Sequence, residues 1–137
     1  HSLSPLLHNT MYDFLGIDAS YKAYEVASGD LKQFLDDEGS SLNCLSLTMP
    51  LKEEALTIAG SVSDISLQIQ SGNTLHKVRG IWQLTSTDVE GFTHALKFNN
   101  RDAKGNVLII GAGATARVRV FGRSVKVAGH GISWRRQ

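Results

Sequence analysis

The chain has 137 residues, 42% hydrophobic and 20% charged, with a formal net charge of +1. That length suits one ordinary domain or slightly more, enough to bury a core without metal or disulfide staples. No apolar run approaches the ~20 residues of a membrane helix, and the opening HSLSPLLHNT lacks the basic-then-apolar layout of a signal peptide. The single cysteine, Cys44, excludes a disulfide framework and disfavours a thiol-ligated metal. A reducing, cytoplasmic setting is the expectation.

Charge is distributed unevenly. Residues 1–100 carry six Lys/Arg against twelve Asp/Glu, whereas residues 101–137 carry eight against one. The asymmetry suggests two regions with different work. A basic end suits either a phosphate-bearing partner or an ordinary solvated tail.

In chain order, residues 5–16 place Leu6, Leu7, Met11, Phe14 and Leu15 at helical spacing up to Gly16, with Ser4 as N-cap and Pro5 at the first position. Residues 21–26, YKAYEV, alternate like a short strand. Gly29-Asp30 opens a second helix with Leu31, Phe34 and Leu35 on one face. Residues 45–49 read as a strand stopped by Pro50, and residues 51–59 as a helix. Beyond Gly60 the pattern weakens: Gly72-Asn73 and Gly80 mark turns between short strands, residues 81–84 being one of them, and residues 90–98 suit a helix. Polar residues 99–105 separate these from NVLII at 106–110, a fully apolar strand. Alternating strands and helices imply an α/β class with a largely parallel sheet.

That last strand runs into GAGATA at 111–116, which matches the dinucleotide pattern G-x-G-x-x-A. In such a loop Gly111 permits the tight turn, Gly113 lets the backbone approach a pyrophosphate, and Ala116 allows close helix–strand packing. A following helix would aim free N–H groups at the phosphates. The same residues also suit a structural turn. Residues 118–121, VRVF, read as a second strand, too close behind the loop for a parallel crossover. Arg123 suits the 2′-phosphate of NADP, where an acid would select NAD; it also suits a solvated tail.

Polar residues gather elsewhere. Ser2 and Ser4 put two hydroxyls beside a helix start, a cradle for a carboxylate as well as a pair of caps. Ser46, Thr48 and Lys52 lie at the carboxyl end of a strand, where open α/β sheets bind ligands. Gly72-Asn73-Thr74 and Thr87-Asp88 add an amide and a carboxylate, Asp88 being equally suited to a helix N-cap. His76, His94 and His130 form no metal-ligand spacing with Cys44 or one another, so no metal is expected.

HSLSP, His8-Asn9, LSLTMPLKEEA, GNTL, TDVEGF and VLIIGAGATAR, in this order over about residues 1–117, resemble the shikimate dehydrogenase family. The resemblance implies a mixed, largely parallel α/β substrate domain at residues 1–100, lacking its first strand, and an incomplete Rossmann NADP-binding domain at residues 101–137. It implies NADP-dependent, reversible reduction of 3-dehydroshikimate to shikimate, a small-molecule substrate, and no nucleic-acid or membrane partner. Position by position, it makes Lys52 and Asp88 catalytic, with Ser2, Ser4, Ser46, Thr48 and Asn73 on the substrate. Gly111, Gly113, Ala114, Thr115 and Arg123 fall to the cofactor. Reducing a ketone with hydride builds negative charge on oxygen, which Lys52 can protonate while Asp88 orients it.

Ser46 and Ser86 stand where the family commonly has Asn, and Gln70-Ser71-Gly72 departs from its usual G-A-V. The rest of the Rossmann domain is not recognisable after residue 125, so the sequence reads as part of a longer enzyme. Two alternatives stand beside this reading: a quinate/shikimate dehydrogenase using NAD, and a truncated, non-catalytic carboxylate-binding paralogue. A nucleic-acid role for the basic end is disfavoured, for it has no aromatic interleaving and no recognition motif.

Overall fold

The computed structural model describes residues 2–99, 108–111, 113–120 and 126–128, and a single hairpin organises most of them. Strands β3 (Thr74–Val78) and β4 (Ile81–Thr85) are joined by Arg79 and Gly80, both at positive φ, 51° and 81°. Two such residues make the tight turn whose twist matches that of paired strands. The register sets Leu75 opposite Leu84, and both side chains are fully buried. Strand β1 (Cys44–Ser46) runs antiparallel to β3, and the short β2 (Ser61–Val62) parallel to β4, giving the order β1-β3-β4-β2.

This sheet is mixed, as expected, but one pairing of its three is parallel rather than most of them. A two-residue connection permits only antiparallel neighbours. The hairpin therefore decides the matter, and its first strand, β3, lies between the turns expected at Gly72-Asn73 and Gly80.

Helices α2 (Leu31–Asp36) and α3 (Leu51–Ile58) cover the sheet. Leu31, Leu35, Leu47, Leu51 and Ala55 close the core over Leu75 and Leu84. Glu54 of α3 ties the two helices together: its carboxylate accepts the backbone N–H groups of Gly29 (2.9 Å) and Leu31 (3.0 Å). The second is one of the donors that a helix start leaves unpaired. Helix α4 (Asp64–Ile69) follows, with Ser63 Oγ accepting from the Ser66 N–H at 3.4 Å. Its apolar residues Ile65, Leu67 and Ile69 alternate instead of recurring at helical spacing, so this helix is silent in the sequence.

Three further expectations are corrected. Helix α1 (Ser4–Leu15) takes Leu3, not Ser4, as its N-cap, and Gly16 (φ 64°) ends it as expected, with the Ile17 N–H on the Tyr12 carbonyl. Its apolar positions Leu6, Leu7, Met11, Phe14 and Leu15 are all exposed. The helix is held by polar and ring contacts instead, His8 stacking on Tyr21 at 4.3 Å. Residues 21–26 form no strand. The Asn9 carboxamide has taken both backbone groups of Tyr21 (2.8 and 3.0 Å), and among the described residues no strand lies alongside the rest.

The third correction concerns the C-terminal elements β5 (Leu108–Ile110), α6 (Ala114–Val120) and β6 (Lys126–Ala128). Residues 118–120, expected in a strand, belong to α6; the apolar alternation in V-R-V is too short to distinguish a strand from a helix face, and Val118 is buried. With that helix in place β5 and β6 pair in parallel, Leu108 opposite Lys126 through Ile110 opposite Ala128. The crossover exists after all. Residues 106 and 107 of the expected strand lie outside the described residues.

Gly72 supplies a direct test of this packing. A Cβ added there would fall 2.4–2.7 Å from the side-chain carbons of Leu84, which is itself buried and has nowhere to withdraw. Gly72→Ala is expected to cost about 1–3 kcal/mol of stability, read by urea denaturation, as overpacking does.

Candidate active site

The end of β1, the start of β3 and the end of β4 meet at one edge of the sheet, where Ser46 pairs with Thr74 and Thr74 with Thr85. Just beyond that edge, backbone bonds stitch the connecting segments together. The Leu47 N–H donates to the Asn73 carbonyl (2.7 Å), the Asn73 N–H to Thr85 (3.1 Å), and the Gly72 N–H to Lys52 (2.9 Å). Lys52 lies in the first turn of α3, after the cis Met49–Pro50 peptide. Asp88 is the first residue of helix α5 (Asp88–Phe98). Two helix starts thus converge on the Asn73 turn.

Their side chains form one network. Lys52 Nζ donates to Asp88 Oδ2 at 2.8 Å, the two side chains being 17% and 25% exposed. Asn73 Nδ2 donates to Asp88 Oδ1 (2.8 Å) and to Thr87 Oγ1 (2.9 Å). Asn73 Oδ1 accepts from the Thr87 N–H (3.1 Å) and from Thr74 Oγ1 (2.9 Å). A carboxamide has two donors and two acceptor sites, and all four are engaged. Both oxygens of Asp88 are likewise held. An ammonium has three N–H donors, and Lys52 spends one of them among the described residues, leaving two for a ligand.

This arrangement presents a cation beside a fixed carboxylate, a pair suited to giving a proton to a ligand oxygen or taking one back. Asp88 is no N-cap: Thr87 occupies that position, and the Asp88 carboxylate is committed to Lys52 and Asn73. Thr74 and Thr87, which sit in the sequence clusters without an assigned role, supply the hydroxyls that complete the Asn73 shell. The signal for them is adjacency to Asn73 and Asp88.

The other expected residues are placed as follows. Ser46 and Thr48 are exposed at the same edge, and the Thr48 carbonyl accepts the Leu51 N–H (2.9 Å). Ser2 and Ser4 lie at the start of α1, Ser2 Oγ accepting the Ser4 N–H at 3.2 Å. Among the described residues no hydrogen bond joins them to the Lys52 network. Gly111 (φ 115°) and Gly113 precede α6, which opens with Ala114 and Thr115. Arg123 lies outside the described residues. Among those described, no group of three or more His, Cys, Asp or Glu is arranged to hold a metal ion, and no helix is long and apolar enough to cross a membrane. Glu53 and Arg117, assigned nothing from sequence, form an ion pair between α3 and α6.

Residues 1–75 match the family model described as the shikimate dehydrogenase substrate binding domain. The NADP(+) shikimate dehydrogenase of Prochlorococcus marinus (strain AS9601) is 37% identical over 125 residues, covering 89% of this chain and 43% of that protein. That of Thermus thermophilus is 36% identical over 121 residues, covering 88% and 46%. The chain thus spans less than half the length of these curated relatives. Among solved structures, the Thermus thermophilus shikimate 5-dehydrogenase in complex with NADP(H) and shikimate superimposes with a TM-score of 0.83 at 35% identity, over 93% of this chain and 51% of that one. The Aquifex aeolicus shikimate dehydrogenase gives 0.82 at 30% identity, over 93% and 50%.

The Lys52–Asp88 contact is expected to register as a coupling of about 1–3 kcal/mol in a double-mutant cycle of Lys52→Met and Asp88→Asn, read by chemical denaturation. Repeating the cycle in an Asn73→Ala background is expected to shrink it, because Asp88 would lose the donor that orients it.

Proposed function

The chain belongs to the shikimate dehydrogenase substrate-binding family, and on that premise we propose that it supplies the substrate site of an NADP-dependent oxidoreductase interconverting 3-dehydroshikimate and shikimate. Residues 1–100 form the substrate domain and residues 101–137 begin the dinucleotide domain. The Lys52–Asp88–Asn73 network carries this reading, because it puts a proton-transfer group at the ligand-binding edge of the sheet.

The residues of the loop fit a dinucleotide. A Cβ added at Gly111 or Gly113 would meet nothing within 4 Å, so the backbone there is open to a phosphate. The β5–α6–β6 unit is the parallel crossover that such a loop requires. Gly111, Gly113, Ala114 and Thr115 would hold the pyrophosphate, and Arg123 the 2′-phosphate. When bound, NADPH supplies the hydride.

The chain's own residues then have three tasks. Lys52 protonates the oxygen on which charge develops and recovers that proton in the reverse direction. Asp88 pairs with the ammonium and holds its Nζ in place, while Asn73, itself fixed by Thr87, keeps the carboxylate from turning away. Ser2 and Ser4, with Ser46 and Thr48, hold the substrate's carboxylate and hydroxyls; Ser2 still has its O–H to donate, since its oxygen accepts from the Ser4 N–H. Held this way, the substrate would react as a positioned pair rather than by collision.

Lys52→Ala is expected to lower kcat for NADP⁺ reduction by shikimate about 10²- to 10⁴-fold. Shikimate affinity by calorimetry should stay within about threefold, since the serine and threonine contacts remain. Retention of near wild-type kcat in that variant would contradict the role given to Lys52.

A further inference from the structure

Arg117 stands four residues beyond Gly113, yet its side chain reaches back to the segments that carry Lys52 and Asn73. Its Nε donates to the Ile69 carbonyl at 2.8 Å, and one terminal nitrogen donates to the Gln70 carbonyl at 3.0 Å and pairs with Glu53. The Arg117 side chain is 13% exposed. Ile69 and Gln70 end α4, where Gln70 turns to φ 52° and the last carbonyls have no partner within the helix. A planar guanidinium fork satisfies several such acceptors at fixed angles, which an ammonium does not.

What Arg117 grips leads straight to the site. Two residues beyond Gln70, the Gly72 N–H is bonded to the Lys52 carbonyl, and the next residue is Asn73, which holds Asp88. Glu53 is the neighbour of Lys52 on α3. One side chain of the glycine-loop helix therefore touches the backbone of the segment that leads to Asn73 and the carboxylate next to Lys52 on α3. The ion pair alone does not account for this arrangement, because Glu53 is 56% exposed and such pairs contribute little to stability. The two carbonyl bonds are directional.

We propose that Arg117 is a positioning residue that ties the glycine-loop helix to the segments carrying Lys52 and Asn73, setting the distance between the dinucleotide and the proton-transfer group. This rests on the function proposed above. Small displacements between reacting groups cost rate steeply, up to about 10²-fold for 1 Å.

The test compares Arg117→Gln and Arg117→Lys with the wild-type protein by amide hydrogen exchange and by steady-state kinetics. In Arg117→Gln, exchange at Gly72 and Asn73 should accelerate about tenfold or more, while the Leu75 and Leu84 amides in the hairpin change less than about twofold. The kcat for shikimate oxidation should fall about 10- to 100-fold, with the KM for shikimate within about threefold. Arg117→Lys keeps the charge beside Glu53 but loses the fork, so it should recover little of either quantity. Should the glutamine variant not fold, the lysine variant carries the same comparison. Unchanged exchange at Gly72 and Asn73, uniform acceleration throughout, or full recovery by lysine would each overturn the proposal. Failure of the wild-type protein to oxidise shikimate would instead overturn the functional reading, while the exchange pattern still decides whether the tie exists.

Discussion

Asp88 can hold Lys52 in one place because Asn73 holds Asp88. One oxygen of the carboxylate accepts from Lys52 and the other from the Asn73 amide, so rotation of the carboxylate breaks a bond on either side. Asn73 in turn has no freedom left, for its carbonyl oxygen is taken by Thr74 and by the Thr87 backbone. Partly buried polar networks stabilise a single arrangement when every member is satisfied, and this one is satisfied at Asn73. Removing any member leaves the others with a desolvated group to place.

The fold exists around that requirement. The Arg79-Gly80 turn sets the hairpin register, which buries Leu75 against Leu84 and leaves Thr74 and Thr85 side by side at the opposite end. Asn73 continues from one strand and Asp88 follows closely on the other. Gly72 lets the chain pass against Leu84 closely enough for its N–H to reach the Lys52 carbonyl. Core packing and site geometry are thus decided by the same few residues, and the helix starts of α3 and α5 need only deliver their side chains to a frame already built.

The residues of the candidate site were more legible in the sequence than the architecture that gathers them. Lys52, Asn73 and Asp88 stand out because amides, carboxylates and cations at turns and strand ends are the residues that ligands need, and their order carries the family resemblance. Helix α3 and strand β4 were readable from periodicity. Strand β3 was legible only as a short strand between two turns, since T-L-H-K-V alternates too weakly to fix its bounds. Residues 21–26 alternate like a strand, but a strand needs a neighbour, and alternation says nothing of whether one is present. Residues 118–120 failed for a related reason: three residues cannot separate a period of two from one of 3.6. Arg117 read as one more positive charge in a basic end, because its partners, a glutamate and two carbonyls 47–64 residues earlier, are visible only in three dimensions.

The most direct measurement is a crystal structure of the protein with shikimate bound. The expected result places one ring hydroxyl within about 3.2 Å of Lys52 Nζ, with the bonds from Lys52 and Asn73 to Asp88 kept and the shikimate carboxylate against the hydroxyls of Ser2 and Ser4. Shikimate bound away from Lys52, or a Lys52 released from Asp88 in the complex, would contradict the account at its centre.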